Sequence, residues 1–265
     1  MVADSDLSPG VPLPDSVVRA QFYPNEGPFI YRGINLWRGV TRHKPYLTGR
    51  SIARIGARHS TLIVYSIRDN IDAAGNQLVN WVAEIEREVA VPVDWNKPAR
   101  LDDFFPVYQD WTFDWLDVPA MMRKADAIFS YPMVDRDPLA RWSFGHVTLL
   151  GDAAHPMYPR GSNGAGQAIL DARALTGCLS REGNVETALK KYEGIRLKAT
   201  SDLVLMNRSN PPDAILREVW KRSGDKPFER IEDVISNAEM VALSETYKKV
   251  AGFERESLAR RGSLV

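Results

Sequence analysis

The 265-residue sequence has a single cysteine, Cys178, and no surplus of either charge. One cysteine excludes an internal disulfide and a metal site built from cysteines. Lys and Arg together number 34, as do Asp and Glu, so no basic excess favours nucleic-acid binding. The sequence has no run approaching the roughly 20 apolar residues of a membrane span. It also opens without the charged and apolar regions of a signal peptide. We therefore expect a cytoplasmic globular protein with no nucleic-acid or membrane partner.

The most informative segment is 147–172, which reads VTLLGDAAHPMYPRGSNGAGQAILDA. Its first four residues form a short apolar run typical of a buried strand, which ends at Gly151 and Asp152. A loop rich in glycine and proline follows, and residues 167–175 predict a helix. Ligands bind at the carboxyl ends of strands in open α/β sheets, and a helix N-terminus offers N–H groups and partial positive charge. The segment therefore predicts a site for a ligand with hydroxyls and an electron-rich edge.

The same segment, as G-D-A-A-H-P-M-x-P-x-G-x-N-G-A-x-Q-A-I-x-D-A, resembles the second flavin fingerprint of a known enzyme family. This is the family of FAD-dependent aromatic hydroxylases, the class A flavoprotein monooxygenases. Within it the chain looks most like the enzymes that act on 5-methylphenazine-1-carboxylate and their relatives. The resemblance extends over nearly the whole chain from Ser16 onward, and it includes residues 36–41, 78–84, 94–95, 111–116, 131–139 and 203–208.

The resemblance implies a fold, a cofactor and a reaction. The fold is mixed α/β (α+β): a partial Rossmann-like FAD-binding domain, a substrate-domain β-sheet and a helical C-terminal region. By the same resemblance Asp152 holds the ribityl hydroxyls of FAD, and the backbone of residues 161–164 faces the pyrimidine edge of the flavin. The implied reaction hydroxylates a small aromatic substrate with O2 and NADH or NADPH, through a flavin hydroperoxide. The implied cofactor-binding residues are Arg19, Gly151, Asp152, Pro159, Gly161, Ser162, Asn163 and Gly164.

The sequence departs from the family pattern near its start. The G-x-G-x-x-G turn that grips the FAD pyrophosphate does not occur in it. The family's D-G-x-x-S-x-x-R motif keeps only the tail from Ser16 to Arg19, because Pro12 and Leu13 occupy the acidic and glycine positions. We therefore expect a chain that lacks the front third of such an enzyme. The alternative to an active hydroxylase is a truncated, non-catalytic fragment that does not hold FAD tightly by itself. Its exposed strand edges and apolar surface favour a homo-oligomer or a complementing N-terminal half.

Composition and periodicity divide the chain into blocks. We expect a disordered arm at 1–15, a remnant of the FAD-domain motif at 16–27 and a substrate-binding sheet domain at 28–145. A portion of the FAD-binding domain follows at 146–208, and a helical region at 209–265. Alternation from Val79 to Ile85 predicts a half-buried strand, and residues 101–111 predict a helix. Asn184 is a plausible N-cap for a long helix that reaches Arg208, with further helices near 213–222 and 239–250.

Single residues in this pattern allow a functional and a structural interpretation. His155 lies beside the flavin loop and is a weak catalytic candidate, but a loop histidine with a local hydrogen bond is the simpler interpretation. Aromatic side chains on strands can line a pocket or fill a core. Arg19 either supports the cofactor or is an exposed charge. The resemblance requires no metal. The candidates for a substrate pocket are Trp37, Tyr65, Trp81 and Pro156.

Overall fold

The computed structural model describes residues 16–57, 59–95, 97–159, 163–209 and 214–251. It divides into two compact units. One unit, the sheet unit, comprises residues 31–133. The other, the helical unit, is made from the described residues on either side of it, up to Ile30 and from Val134 onward. The arm predicted at 1–15 lies outside the described residues. The predicted sheet domain extended to residue 145, whereas residues 134–145 belong to the helical unit.

A five-stranded sheet dominates the sheet unit. From one edge to the other its strands are β2 (Ile52–Ile55), β3 (Ser60–Arg68), β4 (Gln77–Glu86), β1 (Ile30–His43) and β7 (Ile128–Asp135). The pairs β2–β3, β3–β4 and β1–β4 are antiparallel. A turn that includes Gly75, whose φ is +68°, lies between β3 and β4. A short separate hairpin is formed by β5 (Thr112–Phe113) and β6 (Leu116–Asp117).

Alternation along the strands gives the sheet two different faces. On one face Val79 and Trp81 of β4, both fully buried, pack with the helix α2 (Val118–Arg123) and neighbouring turns into an apolar core. Phe104 and Tyr108 belong to the same core. On the other face, even-numbered residues of β1 and β4 lie opposite one another, and this face carries polar side chains as well as aliphatic ones.

The predicted helix over residues 101–111 is wrong. The segment forms two 3-10 turns, Leu101–Asp103 and Phe105–Val107. Pro106 lacks an N–H group and cannot donate the hydrogen bond that a continuous helix requires there. Tertiary contacts also override the helical pattern, because the Tyr108 hydroxyl donates to the carbonyl oxygens of Thr61 and Glu84 at 3.0 and 2.8 Å.

The helical unit confirms the predicted helical C-terminal region. The N-cap at Asn184 is also confirmed, since its Oδ1 accepts a hydrogen bond from the Thr187 amide at 3.0 Å. The strand predicted at 147–150 is shorter than expected, because β9 covers Val147–Thr148 and pairs only with β8 (Ser143–Phe144) among the described residues. The helices are α1 (Val17–Phe22), α3 (Gly164–Arg181), α4 (Val185–Ser209), α5 (Ala214–Ser223) and α6 (Asn237–Ala251).

Candidate functional site

A tight turn follows β9, and it carries the predicted acidic residue. Residues Gly151–Ala153 form a single 3-10 turn that leads into the loop before α3. Gly151 has a φ of +57°, in the left-handed region that favours glycine. A Cβ on this residue would lie 3.2 Å from the Cβ of Ala168 on α3. Both the backbone conformation and the close approach of the helix therefore require glycine at this position.

A buried carboxylate on α3 holds one side of this turn. Asp171 is fully buried, and its Oδ2 accepts hydrogen bonds from the Gly151 amide at 3.0 Å and from His155 Nε2 at 2.6 Å. Its Oδ1 accepts from Arg196 Nε of α4 at 2.7 Å. Burial alone would raise the pKa of Asp171, but the hydrogen bonds from His155, Arg196 and Gly151 outweigh it and keep the pKa below its ordinary value. Asp171 is therefore an ionised acceptor for three donors, two from the turn and its loop and one from α4.

The contact with Asp171 determines which ring nitrogen of His155 carries a hydrogen. A carboxylate only accepts hydrogen bonds, so Nε2 of His155 carries the hydrogen of this contact. The imidazole is 3% exposed, and its ring centroid lies 5.5 Å from that of Trp142. Its Nδ1 is buried, with no hydrogen-bond partner among the described residues. His155 is thus held by Asp171 of the neighbouring helix α3, 16 positions further along the chain.

Arg19 holds the other side of the turn. Its side chain is 2% exposed, and its Nη1 donates to the carbonyl oxygens of Ala153 and Ala154 at 2.8 and 3.0 Å. Glu26 accepts from Arg19 Nε at 2.8 Å and pairs with Nη2. The alternative of an exposed charge is therefore wrong for Arg19. Opposite charges hold the two polar sides of one backbone turn, since Asp171 accepts from an N–H group and Arg19 donates to C=O groups.

The side chain of Asp152 is the polar group of the turn that the protein leaves available. It is only partly exposed, and no described residue donates a hydrogen bond to it. Burial raises the pKa of Asp152, an effect that the nearby His155 partly opposes. A Cβ built on Gly164, the first residue of α3, would lie 3.7 Å from Asp152 Oδ1. The carboxylate therefore lies beside a helix N-terminus, with glycine keeping the space around it open.

The structure brings several predicted cofactor residues into one region. Gly151, Asp152 and Gly164 lie together as described, with Arg19 behind the turn. Asn163 is buried immediately before α3, Pro156 is buried in the loop and Pro159 is exposed. Gly161 and Ser162 lie outside the described residues.

The predicted aromatic residues do not share one surface of the sheet. Trp37 and Trp81 belong to the apolar core, where both rings pack against Phe104 at centroid distances of 5.3 and 5.9 Å. Tyr65 lies on the opposite face, where it pairs with Asn80 of β4. The structure therefore separates Trp37 and Trp81 from Tyr65.

Sequence reasoning missed the residues that hold the turn from behind. Asp171 had no predicted role, and neither did Arg196 nor Gln167, whose Oε1 accepts from Arg196 Nη2 at 2.6 Å. A signal was available, because Gln167 and Asp171 are polar and one helical turn apart on a face that also carries Ala174, Leu175 and Cys178. Polar side chains on the buried face of a helix require partners, and those partners lie on α4.

The part of the chain that the structure describes contains neither a candidate metal site nor a candidate membrane-spanning helix. It contains no group of three or more His, Cys, Asp or Glu side chains placed to hold a metal ion. None of its described helices combines the length and the apolar character that crossing a membrane requires.

Comparison with known proteins places this site in a family context. Residues 120–206 match the FAD binding domain family. The chain is 37% identical over 239 residues to the phenazine 1,6-dicarboxylic acid hydroxylase PhzS of Lysobacter antibioticus. The match covers 89% of this chain and 56% of that protein. It is 30% identical to the 3-amino-4-hydroxybenzoate 2-monooxygenase PtnB3 of Streptomyces platensis, over 71% of this chain and 45% of the relative. The chain thus spans about half the length of the curated relatives it matches.

A solved structure supports the fold. The structure of Klebsiella pneumoniae HpxO complexed with FAD and uric acid matches with a TM-score of 0.58 and 20% sequence identity. The match covers 92% of this chain and 55% of that protein.

Proposed function

We propose that the chain belongs to the FAD-dependent aromatic hydroxylases, the class A flavoprotein monooxygenases, and that it forms part of the active site of such an enzyme. In this proposal the helical unit holds FAD and the sheet unit binds a small aromatic substrate, with NADH or NADPH and O2 as co-substrates. FAD, when bound, would supply the redox chemistry: it would accept a hydride from the nicotinamide and activate O2, so that one oxygen atom enters the aromatic ring and the other leaves as water.

The observation that carries the proposal is the arrangement around Asp152. Two buried ionic groups, Asp171 and Arg19, fix the turn on either side of it. The Asp152 carboxylate, in contrast, receives no hydrogen bond from any described residue although it is partly buried. A partly buried carboxylate that no described residue satisfies, on a rigid turn, fits a ligand that brings hydroxyl donors. The ribityl chain of FAD has such hydroxyls.

The start of α3 has a second role in the proposal. A helix N-terminus presents N–H groups and partial positive charge, which stabilise a group that becomes electron-rich during the reaction. We assign this role to the backbone around Asn163 and Gly164. Gly151 and Arg19 position the turn, while Pro159, Gly161 and Ser162 complete the proposed cofactor-binding set.

The relatives point to the class of substrate. Both curated relatives are named for aromatic carboxylic acids, a phenazine dicarboxylic acid and an aminohydroxybenzoate. We therefore propose an electron-rich aromatic acid as the substrate of this chain. Within the sheet unit we keep Tyr65 as a pocket candidate, whereas Trp37 and Trp81 support the sheet from its packed face. Pro156 is a separate candidate in the helical unit. His155 acts through the turn and not on the substrate.

A second candidate function has support of its own. The sequence contains no G-x-G-x-x-G turn for the FAD pyrophosphate, and β9 pairs only with β8 among the described residues. A polypeptide of this kind would bind FAD weakly alone and would gain the missing contacts from a complementing N-terminal half or from a second copy. In that case the chain turns over substrate only in the assembly.

An absorbance titration of the purified chain with FAD separates the two candidates. Retained flavin bands after removal of excess FAD, together with their loss in Asp152→Ala, support a chain that holds FAD by itself. Asp202→Ala on the exposed face of α4 is the matched control and should retain the bands. A protein that stays colourless with FAD alone, but binds it when a relative's N-terminal half is added, supports the second candidate. A chain that takes up no flavin under either condition contradicts both.

A further inference from the structure

The polar face of the sheet contains a pair of side chains that the cofactor site does not use. Arg38 of β1 donates from Nε to Asn80 Oδ1 of β4 at 2.7 Å. Arg38 is partly exposed, whereas Asn80 is fully buried. Both side chains lie on the face opposite the apolar core, because Trp37 and Trp81, one position away on each strand, belong to that core.

The contact with Arg38 fixes the orientation of the Asn80 amide. A guanidinium only donates hydrogen bonds, so the Asn80 atom that faces it is the carbonyl oxygen. The opposite end of the amide is therefore Nδ2, which carries two N–H groups. This Nδ2 is buried and has no acceptor among the described residues. A buried donor without an acceptor destabilises the protein unless an acceptor arrives in another state.

The surroundings define which acceptor fits. The residues directly opposite Asn80 are Val40 of β1 and Tyr65 of β3, and Val82 lies opposite Arg38. Val40 and Val82 offer an aliphatic surface that suits a flat ring. The guanidinium of Arg38 and the amide N–H groups of Asn80, whose side chains are in contact, can both donate to one acidic group. The acidic residue of β4 on the same face, Glu84, already accepts from Thr61 at 2.7 Å and pairs with Arg54 at 3.8 Å.

We infer that Arg38 and Asn80 bind the carboxylate of the aromatic substrate and so determine the preference for acids. Arg38 supplies the positive charge and Asn80 supplies the buried N–H donors, with the ring of the substrate resting on the neighbouring aliphatic side chains. This inference rests on the proposed function, since it names the residues of that site which recognise the acidic group of the substrate.

A matched pair of ligands tests the assignment. Phenazine-1,6-dicarboxylate and its dicarboxamide share the ring and nearly the same size, but only the first is an anion. Isothermal titration calorimetry measures the affinity of each ligand for the chain with and without FAD. The wild-type protein should prefer the dicarboxylate by about 10- to 100-fold, the range expected for charge-assisted hydrogen bonds.

Two variants and one control complete the experiment. Asn80→Asp keeps an acceptor for Arg38 but replaces the N–H donors by a second anion, so the preference for the dicarboxylate should disappear. Arg38→Gln should reduce the same preference by at least about tenfold. Arg42→Gln removes one exposed positive charge from the same face of the same strand and should leave the preference unchanged. Near-ultraviolet circular dichroism verifies that each variant is folded, and Arg38→Gln provides the test if Asn80→Asp does not fold.

The outcomes separate this inference from the proposed function. A chain that takes up no FAD but still prefers the dicarboxylate, with the preference lost in the variants, supports the Arg38–Asn80 assignment and contradicts FAD binding by the chain alone. A flavin-loaded chain that binds both ligands equally, or whose preference survives Arg38→Gln, overturns the assignment while the proposed function stands. Failure of the wild-type protein to bind either ligand in both conditions also overturns the assignment.

Discussion

Arg19 and Asp171 hold opposite polar sides of one turn, although 152 positions separate them in the sequence. Arg19 donates to the carbonyl oxygens of Ala153 and Ala154, and Asp171 accepts from the amide of Gly151. Each residue also has a charged partner of its own, Glu26 or Arg196. The turn is therefore fixed by two ion pairs, in each of which the residue that contacts the turn is buried. The backbone position of Asp152, which lies between them, is set by side chains that do not contact its carboxylate.

Loss of charge at Asp171 should destabilise the fold. Asp171→Asn leaves the buried guanidinium of Arg196 without its anionic partner, which typically costs about 3–5 kcal/mol. Urea denaturation followed by far-ultraviolet circular dichroism measures the change. Asp202→Asn removes a carboxylate from an exposed pair with Lys198 on α4, and about 0.5 kcal/mol or less is expected there. Equal losses for the two variants would contradict the assigned role of Asp171.

Asp152 should show the opposite behaviour, because burial raises its pKa and the nearby His155 opposes that effect only in part. A carboxyl whose pKa is higher in the folded state favours folding when protonated, and that contribution is lost as pH rises through the folded-state pKa. Without FAD, Asp152→Asn should therefore be more stable than the wild-type chain at pH 7. The advantage should shrink as pH falls and vanish below the ordinary pKa of 3.8.

The same Asp152→Asn variant should bind FAD more weakly than the wild type, since an amide accepts hydroxyl donors less strongly than a carboxylate. Thermal unfolding across a pH series, with and without FAD, measures both effects. A variant that is less stable than the wild type at neutral pH would show that Asp152 has a structural partner instead of a ligand-binding role.

Replacement of Arg19 by lysine should be damaging although the charge is kept. The guanidinium donates from Nε to Glu26 and from Nη1 to two carbonyl oxygens, a geometry that a single ammonium group cannot reproduce. Two lost buried hydrogen bonds suggest a cost of about 2–4 kcal/mol, with weaker FAD binding as the turn loosens. Arg181→Lys, on the exposed end of α3, is the control and should be neutral. Chemical denaturation measures the free energy of unfolding of both variants, and FAD titration measures their affinity for the cofactor.

The apolar core of the sheet makes its own prediction at Gly39. A Cβ on Gly39 would lie 2.3 Å from the six-membered ring of Trp81, which is fully buried and donates from Nε1 to Thr41 Oγ1 at 3.1 Å. Because Trp81 has no room to move, Gly39→Ala should destabilise the chain by about 1–3 kcal/mol.

Gly183→Ala is the control for that change, since nothing lies within 4 Å of its added Cβ and its φ is not positive. Its free energy of unfolding should change by less than about 0.5 kcal/mol. If Gly39→Ala is as stable as Gly183→Ala, the packing around Trp81 is looser than the structure indicates.

Sequence reasoning succeeds here where local signals are strong. Asn184 starts its helix as predicted, because its side chain caps an amide only three residues away. The segment around Gly151 and Asp152 is recognisable because turn, loop and helix start are contiguous in the chain. The helix predicted over 101–111 fails because the Tyr108 hydroxyl bonds to carbonyl groups of distant strands, which no local pattern reveals.

The supports of the site are equally invisible to local patterns. The sequence alone does not decide between the two interpretations of Arg19, because its partners Ala153 and Ala154 are more than 130 positions away. The Arg38–Asn80 pair depends on strand register, which follows from the way β1 and β4 align and not from either segment alone.

The helical unit also closes on itself around the point where the chain leaves it. Arg136 donates to the carbonyl oxygen of Gly27 at 2.7 Å, and its guanidinium lies 3.9 Å from the ring centroid of Phe29. The chain leaves the helical unit near residue 30 and returns to it near residue 134. The contacts of Arg136 hold these two points together without involving residues 31–133. Those residues form an insertion between two neighbouring points of the helical unit, and we expect the corresponding segment of a relative to be able to replace them. Grafting the corresponding segment of a relative between Ile30 and Val134 offers a route to hybrid proteins that retain the Asp152 turn and acquire a different sheet.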